Sequence, residues 1–229
     1  MSEEAQIPGN FQGTVRLFPL PNVVLFPRVT LPLHIFEPRY RAMTADALAG
    51  DNLLTMTLLK PGWEDQYEAR PPLYPIGCVG KIIADQKLED GRYNLLLRGI
   101  SRVRIIEEVR LDQIYRSARV ELLCDTDLTA ARDVRKLRRR LAQYARKWFG
   151  DMGVSFDQVS RLFEGSLPLG TVSDVLSFVL PLAAELKQEL LEQLNIEQRV
   201  SRLLEILGEK EPPPVQASAR TFPPEFSAN

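Results

Sequence analysis

The stretch Arg16 to Met43, RLFPLPNVVLFPRVTLPLHIFEPRYRAM, decides how the first half of the chain is read. Its apolar residues come in short runs, Val23 to Phe26 and Leu31 to Ile35, punctuated by Pro19, Pro21, Pro27 and Pro32. Proline has no amide hydrogen to give to a ladder, so such runs predict edge or bulged strands rather than the middle of a regular sheet. The stretch then turns helical. Pro38 suits a first helical turn, Tyr40, Met43, Ala47 and Leu48 recur at helical spacing, and Gly50 supplies the stop.

Toward the carboxyl end the strand texture continues. In Asn52 to Leu59, Thr55 and Thr57 alternate with Leu54, Met56 and Leu58, which predicts a half-buried strand. Ile76 to Ala84 and Tyr93 to Arg98 flank Asp90-Gly91, a hairpin signal because glycine accepts positive φ without a steric penalty. Arg102 to Val109 and Tyr115 to Leu123 are two further strand candidates.

Beyond Cys124 the period changes. Asp127 or Thr129 can cap a helix whose stripe is Val134, Leu137, Leu141, Tyr144 and Trp148, ending in a polar break at Gly150 to Gly153. Thr171 and Asp174 form a capping-type pair, and Leu182, Leu186, Leu190 and Leu194 carry the pattern past Pro181. Asn195 with Gln198 opens a last helix, striped by Ile196, Val200, Leu203, Leu204 and Leu207 and stopped by Gly208. The tail holds PPPV and FPPEF, a composition that favours extended, solvated chain. The expected organisation is therefore a flexible 1–14, a β-rich 15–124, a helical bundle over 125–208 and a disordered, proline-rich 209–229. No internal repeat is present.

The chain has 229 residues, 45% of them hydrophobic, and 29 basic against 30 acidic groups give a net charge of -1. No global field steers it toward nucleic acid or an anionic membrane. MSEEAQIPGN is acidic and polar where an export signal carries a basic stretch followed by roughly 7 to 15 apolar residues. No apolar run approaches the roughly 18 to 20 residues of a spanning helix, so a cytoplasmic protein without a membrane partner is expected. Cys78 and Cys124, with a single histidine, are too few for a disulfide framework or a Cys/His zinc site, so no metal is expected.

Catalytic signals are weak. GCVGKI at Gly77 to Ile82 lacks the spacing and the hydroxyl of a phosphate-cradling loop and reads as strand, so no nucleotide cofactor is expected. His34, in LPLHIFEPRYR, has no adjacent nucleophile or orienting carboxylate, and a solvent-side or hydrogen-bonded role fits it better than general-base work. Glu37 beside Pro38 is accounted for by the helix dipole and by pairing with Arg39 or Arg41.

Two features concern partners. RDVRKLRRRLAQYARK, over 132–147, is strongly basic, and its patch Arg135, Lys136, Arg138, Arg139 and Arg140 projects away from the apolar stripe. A solvated face is the ordinary outcome, with an acidic partner or nucleic acid the alternative. Its aromatics, Tyr144 and Trp148, lie on the inward stripe, which disfavours base stacking. Trp63 and Tyr67, in the polar segment KPGWEDQYEARPPLYPIG, have no obvious core role and become contact candidates.

The runs RLFPLPNVVLFPRVTLPLHIFEPRYRAM, LYPIGCVGKI and DGRYNLLLRGISRVRI, in that order and spacing, resemble the substrate-binding domain of the Lon protease. DVLSFVLPLAAELKQELLEQLNIEQRVSRLLEIL is similar to its helical end, so the likeness runs from about Val15 to Gly208. The resemblance implies an α+β fold, a PUA-like β pseudo-barrel followed by a helical bundle, in a free-standing member without the ATPase and peptidase domains. The implied role is non-catalytic: binding unfolded or damaged protein segments, or acting as an adaptor toward a protease or chaperone. The family motif carries no catalytic residue. Trp63 and Tyr67, then Phe36, Arg39 and Tyr40, are the polypeptide-binding candidates, and an RNA-binding PUA-like protein using the basic helix is the alternative.

Overall fold

The longest strand of the protein runs through a glycine. In the computed structural model of the chain, residues 7–9, 11–64, 70–126, 131–151, 160, 162–163, 167–209 and 227–228 are described. They form β1 (Thr14–Leu20), β2 (Thr30–Ile35), α1 (Pro38–Leu48), β3 (Leu53–Leu58), β4 (Ile76–Lys87), β5 (Tyr93–Val109) and β6 (Ser117–Leu123). Then come α2 (Ala131–Asp151), α3 (Leu169–Val179), α4 (Ala184–Glu192), α5 (Ile196–Glu209) and β7 (Ser227–Ala228). Two units result, one of Met1–Leu123 with Arg220–Asn229 and one of Cys124–Ala219.

β5 is a single strand of 17 residues where the sequence predicts two. Gly99 interrupts the side-chain pattern without breaking the backbone, because the connection after β1 uses that position. The Gly99 amide donates to the Val29 carbonyl and the Arg28 amide donates to the Gly99 carbonyl, each at 2.8 Å. A Cβ on Gly99 would overlap the Phe26 carbonyl and approach Cys78 Sγ to 3.2 Å. The same contact corrects the expectation of a strand over Val23 to Phe26. Val24, Leu25 and Phe26 are buried in irregular chain that crosses against β5 at this glycine.

Along one edge of β5, β4 pairs antiparallel from Lys87↔Tyr93 to Ile76↔Arg104, with irregularities at Val79/Gly80 and Ile82/Ala84 that add twist. The other edge is shared. β2 takes the first half, from Ile35↔Tyr93 to Thr30↔Arg98, and β6 takes the second, from Arg102↔Leu123 to Val109↔Ser117. β6 pairs with β1, β1 runs parallel to β3, and β3 pairs with β4, so β1, β3, β4, β5 and β6 close into a ring. β2 stays outside that ring.

The ring is filled by Val15, Leu17, Leu53, Val79, Val103, Ala118 and Val120. All six residues of β3 are buried, which corrects the expected half-buried strand. Its Leu53 face, with Thr55 opposite Leu17 and Val79, looks into the ring. Its other side is covered by α1, which buries Tyr40, Met43 and Ala47. Thr55 and Thr57 are thus core residues whose alternation mimics a solvent face.

In the second unit α5 contacts α2, α3 and α4. Its Arg199 is fully buried. Nη1 and Nη2 donate to Asp125 Oδ1 and Oδ2 at 3.0 and 2.6 Å, Nη1 also reaches the Gln193 carbonyl at 2.6 Å, and Nε reaches Ser173 Oγ at 3.1 Å. Asp174 lies 3.3 Å away, so its carboxylate serves a buried ion pair. That corrects the capping role expected with Thr171, since α3 already begins at Leu169. The cap expected at the last helix is present, with the Gln198 amide donating to Asn195 Oδ1 at 3.0 Å. Trp148 Nε1 donates to the Leu207 carbonyl at 2.9 Å and joins α2 to α5. The tail expected to be loose from 209 departs from that at both ends: Glu209 still belongs to α5, and Ser227–Ala228 is paired; 210–226 lies outside the described residues.

Two substitutions test these anchors by urea unfolding. Gly99→Ala is expected to lower stability by about 1–3 kcal/mol through overpacking against Phe26. Arg199→Leu is expected to cost about 3–5 kcal/mol, because it strands Asp174 as a buried carboxylate without its cation.

Candidate functional site

β2 presents two unlike faces. Leu31, Leu33 and Ile35 are buried, while Thr30, Pro32 and His34 alternate on the other side. Register places His34 opposite Asn94, and the two side chains meet, Nδ1 to Oδ1, at 2.7 Å. Nε2 lies 3.4 Å from Arg92 Nη1. With Nδ1–H donating to Asn94, Nε2 accepts from the guanidinium. Arg92 turns its other face to Asp90, Nε to Oδ2 at 2.6 Å, while its amide donates to Oδ1 at 3.0 Å. These hydrogen bonds hold the exposed Asp90 carboxyl below its ordinary value, and Asp90 in turn raises the Arg92 guanidinium. His34 is thus gripped between an amide and a guanidinium, the hydrogen-bonded role that its sequence context favours.

Phe36 follows directly. It is 40% exposed and stacks on the His34 ring at 6.3 Å between centroids and 27° between planes. The other aromatics of this stretch turn inward, with Phe18, Phe26 and Tyr40 all buried.

The remaining candidates separate. Tyr40 is structural: its ring meets Phe18 at 4.5 Å and its hydroxyl donates to the Pro19 carbonyl at 3.1 Å. Arg39 lies over that ring at 4.7 Å and pairs with Glu37 at 2.9 Å, which fixes the entry to α1. Trp63 is half-buried on the connection between β3 and β4, whose base is pinned where Leu59 bridges Leu73 and the Lys60 amide donates to the Pro72 carbonyl at 2.9 Å. Tyr67 lies outside the described residues. In the second unit Arg135, Lys136, Arg139 and Arg140 are exposed on α2, while Arg138 is half-buried and donates to the Leu167 carbonyl. Trp148 is in the core.

Sequence reasoning missed two surfaces. The set of His34, Asn94, Arg92 and Asp90 is assembled by the β2–β5 register, which no spacing reveals. The β5–β6 hairpin exposes Ile106, Leu111 and Ile114, at 51%, 51% and 67%; Leu111 and Ile114 fall in the gap between Val109 and Tyr115, where no strand was expected.

A closed mixed ring of strands with β2 and the two-residue β7 outside it, joined in sequence to a helical unit, defines an α+β module that exposes both apolar side chains and the basic face of α2. Over residues 14–209 the chain matches the family model of the ATP-dependent protease La (LON) substrate-binding domain, and it belongs to that family. It is 25% identical over 194 residues to the Lon protease of Anaeromyxobacter dehalogenans and 27% identical over 194 residues to Lon protease 2 of Myxococcus xanthus. In both cases 85% of this chain aligns with 23% of the relative, so the chain spans about a quarter of the length of these curated relatives. Among solved structures it superposes on the Lon N-terminal domain protein from Xanthomonas campestris with a TM-score of 0.60 at 23% identity, covering 83% of this chain and 96% of that one. The N-terminal domain of Mycobacterium avium complex Lon protease gives 0.63 at 18% identity, covering 86% and 99%. These likenesses establish the α+β fold expected from the sequence. No helix among the described residues is long and apolar enough to cross a membrane.

The two neighbouring aromatics should behave oppositely in thermal or urea unfolding. Tyr40→Ala is expected to cost about 3–5 kcal/mol, as for a buried aromatic truncated to alanine. Phe36→Ser should stay within about 0.5 kcal/mol of the parent, as surface changes do.

Proposed function

We propose that this domain binds extended, partly apolar segments of other polypeptides without transforming them, as an adaptor or holding module. Membership of a substrate-binding family supports the class of function. The observation that carries it to this chain is Phe36: it is the one aromatic of Phe18, Phe26, Phe36 and Tyr40 left exposed, and it sits just past the end of β2, whose outer side carries only the two-residue β7, beside a fixed His34–Asn94 pair. An exposed ring next to a fixed polar pair and a strand edge paired at only two positions suits clients that share only backbone and hydrophobicity. Ordering a flexible client costs conformational entropy, so affinity is expected to be micromolar or weaker. Trp63, and Tyr67 by sequence alone, are secondary contact candidates on the long β3–β4 connection.

The basic face of α2 supports a second reading, nucleic-acid binding, because Arg135, Lys136, Arg139 and Arg140 are exposed together on one helix. Trp148, the aromatic that would stack on bases, instead donates to Leu207 within the core. We rank it below polypeptide binding for that reason.

The test is a titration of the full chain against a reduced, S-carboxymethylated model protein and the same protein folded. Preference for the unfolded form, weakened severalfold by Phe36→Ser and left intact by Arg139→Glu with Arg140→Glu, is the expected result. Equal affinity for the two forms would sink client binding, whereas loss only with the α2 changes, together with steep salt dependence, would favour the nucleic-acid reading.

A further inference from the structure

The free side of β2 is already in use. Ser227–Ala228, followed in the sequence by Asn229 alone, runs parallel to β2 with Leu33 opposite Ser227 and His34 opposite Ala228. β5 occupies the other side of β2 along its whole length. A strand edge with unpaired main-chain groups is a template for another extended segment. Pro32 limits where pairing can occur. It cannot donate to the β5 ladder, so its nitrogen belongs on the outer side, where it leaves one position without a hydrogen-bond donor. The productive register therefore lies beyond it, at Leu33 to Ile35. β7 occupies the first two of these three positions, Leu33 and His34. Phe36 lies two residues past His34 and supplies an exposed ring beside the same edge.

We propose that the outer edge of β2 is the strand-docking site for client polypeptide, and that the carboxyl-terminal segment of this chain is its intramolecular occupant, which clients must displace. This deepens the polypeptide-binding reading and rests on it. The energetics suit a displaceable occupant. Two paired residues make only a few ladder hydrogen bonds, each worth about 0.5–1.5 kcal/mol net. Fixing each backbone residue costs about 1–2 kcal/mol, so the tail is held close to balance. A client pairing with the same edge and covering Phe36 would gain the apolar contact in addition. Recognition through main-chain hydrogen bonds also places little demand on client sequence, as a module binding varied segments requires.

The experiment uses the full chain and its Ser227→Pro/Ala228→Pro variant, which cannot donate main-chain hydrogen bonds from either β7 position. Both are titrated with the reduced, S-carboxymethylated model protein, with and without the synthetic peptide RTFPPEFSAN, while amide hydrogen exchange is followed at Leu33 to Phe36. The variant should bind the unfolded protein about three- to tenfold more tightly, as expected when an occupant filling most of the site is removed. The peptide should compete with that binding. The outward-facing amide of His34 should exchange faster in the free variant and recover protection when either ligand is added, while those of Leu33 and Ile35, turned toward β5, should not change. Binding of the unfolded protein that is equal in parent and variant and indifferent to the peptide would overturn the edge site while leaving polypeptide binding in place. If neither chain binds the unfolded protein, the polypeptide reading itself falls, and the edge as a client site falls with it.

Discussion

One steric constraint holds the first unit together: at Gly99 two backbones touch, with no room for a side chain between them. The carbonyl of Phe26 occupies the space where a Cβ would project, and hydrogen bonds from Arg28 and Gly99 lock the crossing in place. Because the chain can cross there, the segment after β1 buries Val24, Leu25 and Phe26 and then returns as β2 on the first half of β5. β6 can then take the second half of the same edge and close the ring. β2 is thereby left with β5 along one side and only the two-residue β7 on the other. The geometry that closes five strands leaves the sixth with an edge that β7 pairs at Leu33 and His34 alone.

The helical unit solves a different problem. Its helices meet around a fully buried guanidinium, which is costly unless every donor is matched by an acceptor. Each nitrogen of Arg199 finds at least one acceptor among two carboxylates, a hydroxyl and a carbonyl drawn from the segment after β6, from α3 and from the turn before α5. Nonspecific apolar packing would tolerate several helix registers. A planar fork with fixed partners selects one, since a slip of one residue would leave charges buried without partners.

The sequence was legible where local rules dominate. The glycine hairpin at Asp90-Gly91, the helix opening at Pro38 and the Asn195–Gln198 cap depend on neighbouring residues alone and stand as read. Failures arose where tertiary contacts override pattern. Thr55 and Thr57 alternate like a solvent face although they are buried, because they share the Leu53 face of β3, which looks into the closed ring. Gly99 resembles a strand break and is a point of backbone contact. Asp174 reads as a cap and is a buried counterion. Of the candidate site, Phe36 was legible as an aromatic in a conspicuous run, but Tyr40, four residues on, was legible in the same way and is core. The two are told apart by burial, which local pattern does not encode. The pairing of His34 with Asn94 spans 60 residues of sequence and exists only through the strand register.

An open edge carries a hazard along with its use, since unpaired main-chain groups attract any extended chain, including another copy of the same protein. Several features restrain β2. It is only six residues long, Pro32 removes one donor, and the hydrogen-bonded His34 and Asn94 put a polar patch on its outer face. Arg92 and Asp90 add a charged pair beside it. These shorten the segment that can be templated and disfavour the long, flat, apolar pairing on which aggregation depends. A nearby tail that rejoins the edge when nothing else is bound adds protection without closing the site for good. Its length sets the balance: a longer β7 would hold the edge against any client, and none would leave it unguarded. A two-residue strand sits between those extremes, where a segment offering more main-chain pairs or a side chain for Phe36 has the advantage and an ordinary encounter does not.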